Sequence, residues 1–290
     1  MPRKGNIVRM LEDPMNLTGE ADALPAPTLS AARAAPRPEQ QRPAPASTLN
    51  LSERPKVLMM IGTGGTGKTT LLRWICEKAF ERDNGTELML ATVDPVNREL
   101  GQYFADTVSP QAGDTVAWLE RLLAKIVATK WDAAIDFGGG DTSLPRLLAD
   151  IPNLQQVMEE ATIAPVAIYL LSPRVDDLTP LSEMQAAGFQ PPATALVLNE
   201  GRVDTSREPA REFALLRRHP VYRAAIERDA VEVWMPRLYA APQIEARRLT
   251  YRQAADGAGT PPLSVFDRSR VHRWLAAMDA AFAPIAGWLP

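Results

Sequence analysis

A doubly wound, mostly parallel α/β sheet flanked by helices is the fold that this 290-residue chain predicts. Three observations carry it. Short runs that are apolar throughout, rather than alternating, recur along the chain, which is what strands covered by helices on both faces require. Segments with helical spacing of apolar residues fall between those runs, the order of a parallel sheet with crossover helices. A glycine-rich turn joins the first apolar run to the first helical segment. In chain order the expected strands are 57–61, 88–93, 133–136, 166–171, 195–198 and 231–235. The expected helices are 68–82, 115–129, 144–149, 154–160, 207–218, 242–255 and 267–283. In the last of these Val271, Trp274, Leu275, Met278 and Phe282 recur at helical spacing, a pattern that packs inward.

Upstream of the first strand the composition changes. Residues 1–55 carry Pro2, Pro14, Pro25, Pro27, Pro36, Pro38, Pro43, Pro45 and Pro55 among Ala, Ser, Thr and Gln. Such a segment has too little apolar surface to offset the entropy of ordering it. The sequence therefore predicts a Pro/Ala-rich disordered tail over 1–55, with 1–11 either solvated or a short docking motif, and a folded domain over 56–290 that includes the helix 267–283.

The composition also sets limits. With 46% hydrophobic residues a sizeable core is available, and a net charge of −3 does not suit a generally basic nucleic-acid binder. Cys76 is the single cysteine, so no intrachain disulfide or multi-cysteine metal site is expected and a reducing, cytoplasmic setting is. His219 and His272, without nearby cysteines, predict no transition-metal centre. The longest apolar run, 164–171, is far short of the roughly 20 residues that span a bilayer. Arg3 and Lys4 are followed by acidic residues rather than an apolar stretch, so no secretion signal is expected.

The chemistry concentrates in Gly62-Thr63-Gly64-Gly65-Thr66-Gly67-Lys68-Thr69, which meets every specified position of G-x-x-x-x-G-K-[ST] between a strand and a helix. At a helix N-terminus the unpaired N–H groups and positive dipole end face an anion, and glycines let the backbone curl around phosphate oxygens. This predicts a P-loop for ATP and Mg²⁺, with Lys68 on the β- and γ-phosphates and the Thr69 hydroxyl on the metal. Asp136, ending the apolar run 133–136, is the expected second Mg²⁺ carboxylate, with a strand-end cap as the plainer alternative. Gly138, Gly139 and Gly140 follow it as a turn able to sense the terminal phosphate. Asp94 ends the preceding strand, and parallel strands point their carboxyl ends toward one crevice, so Asp94 and Asp136 are expected to converge on the loop. Asn199-Glu200-Gly201-Arg202 lacks the fourth-position Asp of N-K-x-D that reads guanine, which favours ATP. Asn199 itself reads equally as a base contact or as ordinary turn chemistry.

The core Gly64-Gly65-Thr66-Gly67-Lys68-Thr69-Thr70 resembles the deviant Walker A motif of the ParA/MinD ATPases. The resemblance continues through Asp94-Pro95, similar to that family's switch I, through Trp131-Asp132-Ala133-Ala134-Ile135-Asp136, similar to its Walker B segment, and through Asn199 and Pro236, similar to its base-contacting strand ends. It spans about 56–255, and its details are most similar to TraL-type conjugal-transfer and StbB-type plasmid ATPases. It implies slow ATP hydrolysis, a nucleotide-dependent homodimer, Asp94 orienting the attacking water, and action on plasmid DNA or on a conjugation or partition partner protein. One position departs. Thr63 stands where the family carries a lysine that reaches across the dimer, which implies weak or arginine-assisted turnover. Arg98 is a candidate substitute, or else an exposed surface arginine.

The clusters 217–219, Arg247-Arg248 with Arg252, and Arg268, Arg270 and Arg273 read either as a phosphate-contacting surface for DNA or as solvated helix faces. Two other functions remain open at this level. One is a small-molecule kinase or ATP-dependent ligase on the same loop, and the other is a module that holds nucleotide without turnover.

Overall fold

Strands form where the apolar runs predict them. The computed structural model describes residues 47–81, 87–94, 100–111 and 113–290. Its elements are β1 (Lys56–Ile61), α1 (Lys68–Glu81), β2 (Leu88–Thr92), α2 (Thr115–Thr129), β3 (Asp132–Asp136), α3 (Ser143–Asp150), α4 (Leu154–Glu160), β4 (Ala164–Leu171), α5 (Thr179–Ala186), β5 (Ala193–Asn199), α6 (Pro209–Glu212), α7 (Ala214–Arg218), α8 (Pro220–Ile226), β6 (Val231–Met235), α9 (Ala241–Arg247), α10 (Tyr251–Asp256) and α11 (Val265–Phe282).

Among the described residues six strands make one sheet in the order β2-β3-β1-β4-β5-β6, every pair parallel. Alternate side chains of one strand enter different cores. Leu58 and Met60 of β1 join Leu71, Trp74 and Ile75 of α1 and Val271 and Trp274 of α11, whereas Val57 and Met59 join Leu119 and Leu123 of α2 and Leu144 and Leu147 of α3. Burial on both faces is why β1 and β4 show no polar alternation, whereas β6, at the sheet edge, alternates and carries half-buried Glu232. At roughly 25 cal/mol per Å² of apolar surface, these two layers are the main stabilising term.

Several expected boundaries shift, each for a physical reason. The expected helix 207–218 is broken. Pro209 opens α6, Phe213 separates it from α7, and Pro220 opens α8 after an extended His219, as the residue before a proline prefers. The expected helix 242–255 divides at Arg248, which takes a left-handed φ of 53°. Buried Arg73 draws off the next carbonyl, that of Leu249, at 2.9 Å. Thr250 and Gln253 then start α10 with reciprocal capping bonds. The final helix begins at Val265, because the Ser264 hydroxyl accepts from Asp267 N. Its Val271, Trp274, Met278 and Phe282 are buried. α5 lay unread in the sequence, although Pro180 in its first turn is a start signal.

The tail boundary is also corrected. Residues 1–46 lie outside the described residues, but 47–55 pack against the domain. Ser47 N donates to Pro284 O at 3.0 Å, the Trp288 indole donates to Leu49 O at 3.1 Å, and Leu51 is 4% exposed. Arg54 donates to the carbonyls of Glu159, Thr162 and Ile163. Proline-rich composition upstream masks these few anchoring residues. Among the described residues no helix is long and apolar enough to cross a membrane.

Candidate nucleotide-binding site

β1 delivers the chain to the carboxyl edge of the sheet, where residues 62–67 turn before α1 begins at Lys68. Gly67 has a φ of +102°, and a Cβ there would fall 2.3 Å from Asn199 Nδ2, so glycine is required. Thr66 is fully buried and its hydroxyl donates to Thr63 O at 3.0 Å, which pins the turn. Gly64 and Gly65 are exposed at its tip. Lys68 Nζ donates to Gly62 O at 2.8 Å and to Thr63 O at 2.9 Å. Burial lowers the Lys68 pKa, and the charges of Asp136 and Asp177 act against that shift. The ammonium thus rests on its own loop, beside the N–H groups of a long helix, where a phosphate offers it a stronger, charged acceptor. Thr69 and Thr70 are half-buried in the first turn of α1, and the Tyr251 hydroxyl donates to Thr70 O at 3.2 Å.

The two acids meet the loop as strand geometry dictates. Asp136 pairs in register with Met60 near the end of β1, and its field reaches Lys68. Val93 N donates to Asp136 O at 2.9 Å, which places Asp94 beside the end of β3. A Cβ at Gly138 would lie 3.0 Å from Asp94 Cβ. At Gly139 it would lie 2.5 Å from both N and Cα of Gly64. Asp94, Asp136, the glycine turn and the phosphate loop are therefore one cluster. Pro95, Val96, Asn97 and Arg98, read in the sequence as part of a switch, lie outside the described residues.

Asn199 and Pro236, the expected base contacts, part company. The Asn199 amide donates to Thr66 O at 2.7 Å and accepts from Gly201 N at 2.8 Å, with the residue 5% exposed, so one N–H and its oxygen are engaged by the loop and its own turn. Pro236 instead lines a cavity of about 400 Å³ with Glu200, Asp204, Arg237, Tyr239 and Trp274. Trp274 Nε1 donates to Pro236 O at 2.9 Å, and Arg237 donates to the carbonyls of Glu200 and Val203. Burial raises the Glu200 pKa, opposed by the Arg237 charge. A second cavity of about 340 Å³ opens beside Thr63, Gly138 and Gly140, with Asp141, Asp176 and Glu183 also lining it.

Two residues that sequence reasoning missed complete the loop's outer wall. Asp177, 1% exposed, accepts from Ser172 N at 2.9 Å, from the Ser172 and Thr63 hydroxyls, and from Arg174 Nη2 at 3.0 Å. Their signal was positional: both follow β4, the neighbour of β1, at the edge where ligands bind. Part of each basic cluster is engaged locally. Arg217 pairs with Glu232, Arg252 with Glu81 and Asp256, and Arg270 with Asp267, while Arg247 donates to the carbonyls of Gln243 and Pro261.

No family model matches the chain, and no curated protein matches it in sequence. Among solved structures, it is similar to chloroplast FtsY from Physcomitrella patens, at 16% identity and a TM-score of 0.39 over 77% of this chain and 65% of that one. The signal recognition particle 54 kDa protein from Aeropyrum pernix in complex with GDP gives 15% identity and a TM-score of 0.40 over 86% and 51%. The MinC:MinD cell division complex from Aquifex aeolicus gives 12% identity and a TM-score of 0.43 over 76% and 96%. The chain thus spans only about half to two thirds of the first two. The fold assignment rests on the strand order and loop geometry of the chain itself, a parallel sheet with a P-loop at the end of its central strand β1.

Proposed function

We propose that this chain is a nucleotide switch that binds ATP with Mg²⁺ and hydrolyses it slowly, in the manner of the ParA/MinD ATPases that its motifs resemble. The observation that carries this reading is the Lys68 ammonium held on Gly62 and Thr63 carbonyls at the mouth of a glycine-shaped loop, with Asp94 and Asp136 brought to the same place. On entry of a nucleotide Lys68 turns to the β- and γ-phosphate oxygens, and loop N–H groups from Gly64 to Thr70 cradle them. The Thr69 hydroxyl and Asp136 are the donors for Mg²⁺, which when bound neutralises phosphate charge. Asp94, against Gly138, orients the attacking water. Pro236 and its cavity are the nearer candidate for the base, with Asn199 holding the loop behind the phosphates.

The finer parts of the reading follow from the motifs. They are a TraL- or StbB-like role in plasmid conjugal transfer or partition, a nucleotide-dependent homodimer, plasmid DNA or a transfer protein as partner, a cytoplasmic setting, and an N-terminal tail over the residues before the packed segment. Thr63, its hydroxyl donated to Asp177, supports a second reading in which nucleotide is held without turnover. Lys68→Ala should abolish ATP binding, whereas Asp94→Ala should spare binding and remove phosphate release. Wild-type activity in both variants refutes the site.

A further inference from the structure

Arg174 is a surface arginine that does not behave as one. Its side chain is 64% exposed, yet Nη2 donates to buried Asp177 at 3.0 Å and approaches the Thr63 hydroxyl at 3.4 Å, and Nε donates to Ser172 Oγ at 3.3 Å. Holding a long side chain in one place costs rotamer entropy. Here a fully buried carboxylate with four hydrogen bonds fixes it. A guanidinium carries five N–H donors in a rigid fork. Nε and Nη2 are used by the protein, and among the described residues no acceptor is recorded for the two N–H groups of Nη1.

The place matters as much as the fork. Thr63 is flanked by two cations, since its carbonyl takes the Lys68 ammonium at 2.9 Å and its hydroxyl is shared with Asp177 and Arg174. Asp177 bears on both: it holds Arg174 by a hydrogen bond, and its charge, after that of Asp136, opposes the lowering of the Lys68 pKa by burial. From this arrangement we infer that Arg174 is a second phosphate-contacting cation, presenting Nη1 to the terminal phosphate of a nucleoside triphosphate, with Asp177 as its positioning residue. The inference rests on the P-loop reading above and adds to it a residue that distinguishes triphosphate from diphosphate. The phosphate belongs either to the nucleotide in the same chain's loop or to that in a second copy's loop, and the chemistry of recognition is the same.

Equilibrium titrations of the full chain with fluorescent mant-ATP and mant-ADP, each with Mg²⁺, test it. Arg174→Ala should weaken mant-ATP binding roughly tenfold or more, the usual scale for losing a charge-assisted hydrogen bond, and leave mant-ADP within about twofold. Arg174→Lys should fall between, since lysine brings charge without the fork. Equal losses for both nucleotides, or none, overturn the inference. Lys68→Ala is the control for the loop itself. If it binds both nucleotides as tightly as wild type, or if wild type binds neither, the P-loop reading fails and this one with it. Mixing the Lys68→Ala and Arg174→Ala chains separates the two sources. Tight mant-ATP binding regained in the mixture identifies the partner copy's phosphate, and binding no tighter than that of Arg174→Ala alone identifies the chain's own.

Discussion

Replacing Asn199 with alanine should loosen the phosphate loop rather than remove a base contact. The side chain is 5% exposed and its amide donates to Thr66 O at 2.7 Å, behind a loop whose Gly67 leaves it no more room than a missing Cβ provides. Truncation leaves a buried carbonyl without its donor, which costs about 1–3 kcal/mol. The Gly201 N–H, only half-buried, can turn to water and adds little. For a domain of this size 2 kcal/mol corresponds to a melting-temperature loss of roughly 4–8 °C. The same slackness should weaken ATP, GTP and inorganic tripolyphosphate in equal proportion, because all three are held by the loop and only two carry a base. Calorimetric melting and competition titrations with the three ligands measure both effects. An Asn199→Ala chain that melts like wild type, loses ATP affinity and keeps tripolyphosphate affinity refutes the loop-support role and restores Asn199 as a base contact.

Three further outcomes are expected. Gly139→Ala puts a Cβ 2.5 Å from the Gly64 backbone and should weaken mant-ATP binding about tenfold or more, since displacements of about 1 Å suffice for that, whereas Gly101→Ala, with open space at its Cβ, should be silent. Burial pushes the Glu77 carboxyl up to about 7 from 4.5, against the Tyr251 N–H and the Arg73 charge, so the folded chain keeps a proton that the unfolded chain releases. Unfolding free energy should therefore fall as pH rises from about 4.5 to 7, by up to about 3 kcal/mol from this group, and level off above; Glu77→Gln should flatten that slope in urea melts at stepped pH. Leu51→Ala, at a position 4% exposed in the α11 core layer, should cost about 2 kcal/mol or more by urea denaturation, and an unchanged midpoint places the packed boundary after it.

Legibility from sequence followed locality. The strands were readable because burial on both faces leaves an unbroken apolar run, and the phosphate loop because its glycines, Lys68 and Thr69 are consecutive. The breaks in 207–218 are local, at Pro209, Phe213 and Pro220, whereas the helix 242–255 divides where a partner distant in sequence acts, Arg73 drawing the Leu249 carbonyl. The packing of 47–55 was hidden for the same reason, since its anchors Pro284 and Trp288 lie at the other end of the chain.

The consecutive residues of the loop thus determined by themselves a glycine-shaped turn with Lys68 at the end of β1, and the apolar runs determined that a parallel sheet carries it there. Folding alone decided which groups surround that turn. Asp94 and Asp136 were each marked by a strand end, but Asp177 and Arg174 gain their roles only because β4 lies beside β1 in the strand order. Asn199 is a turn residue by its neighbours in sequence and a brace for Thr66 by its neighbours in space. A hydrogen bond of a few ångströms is indifferent to the number of residues between its partners, which is why sequence spacing could name the loop and not its supports.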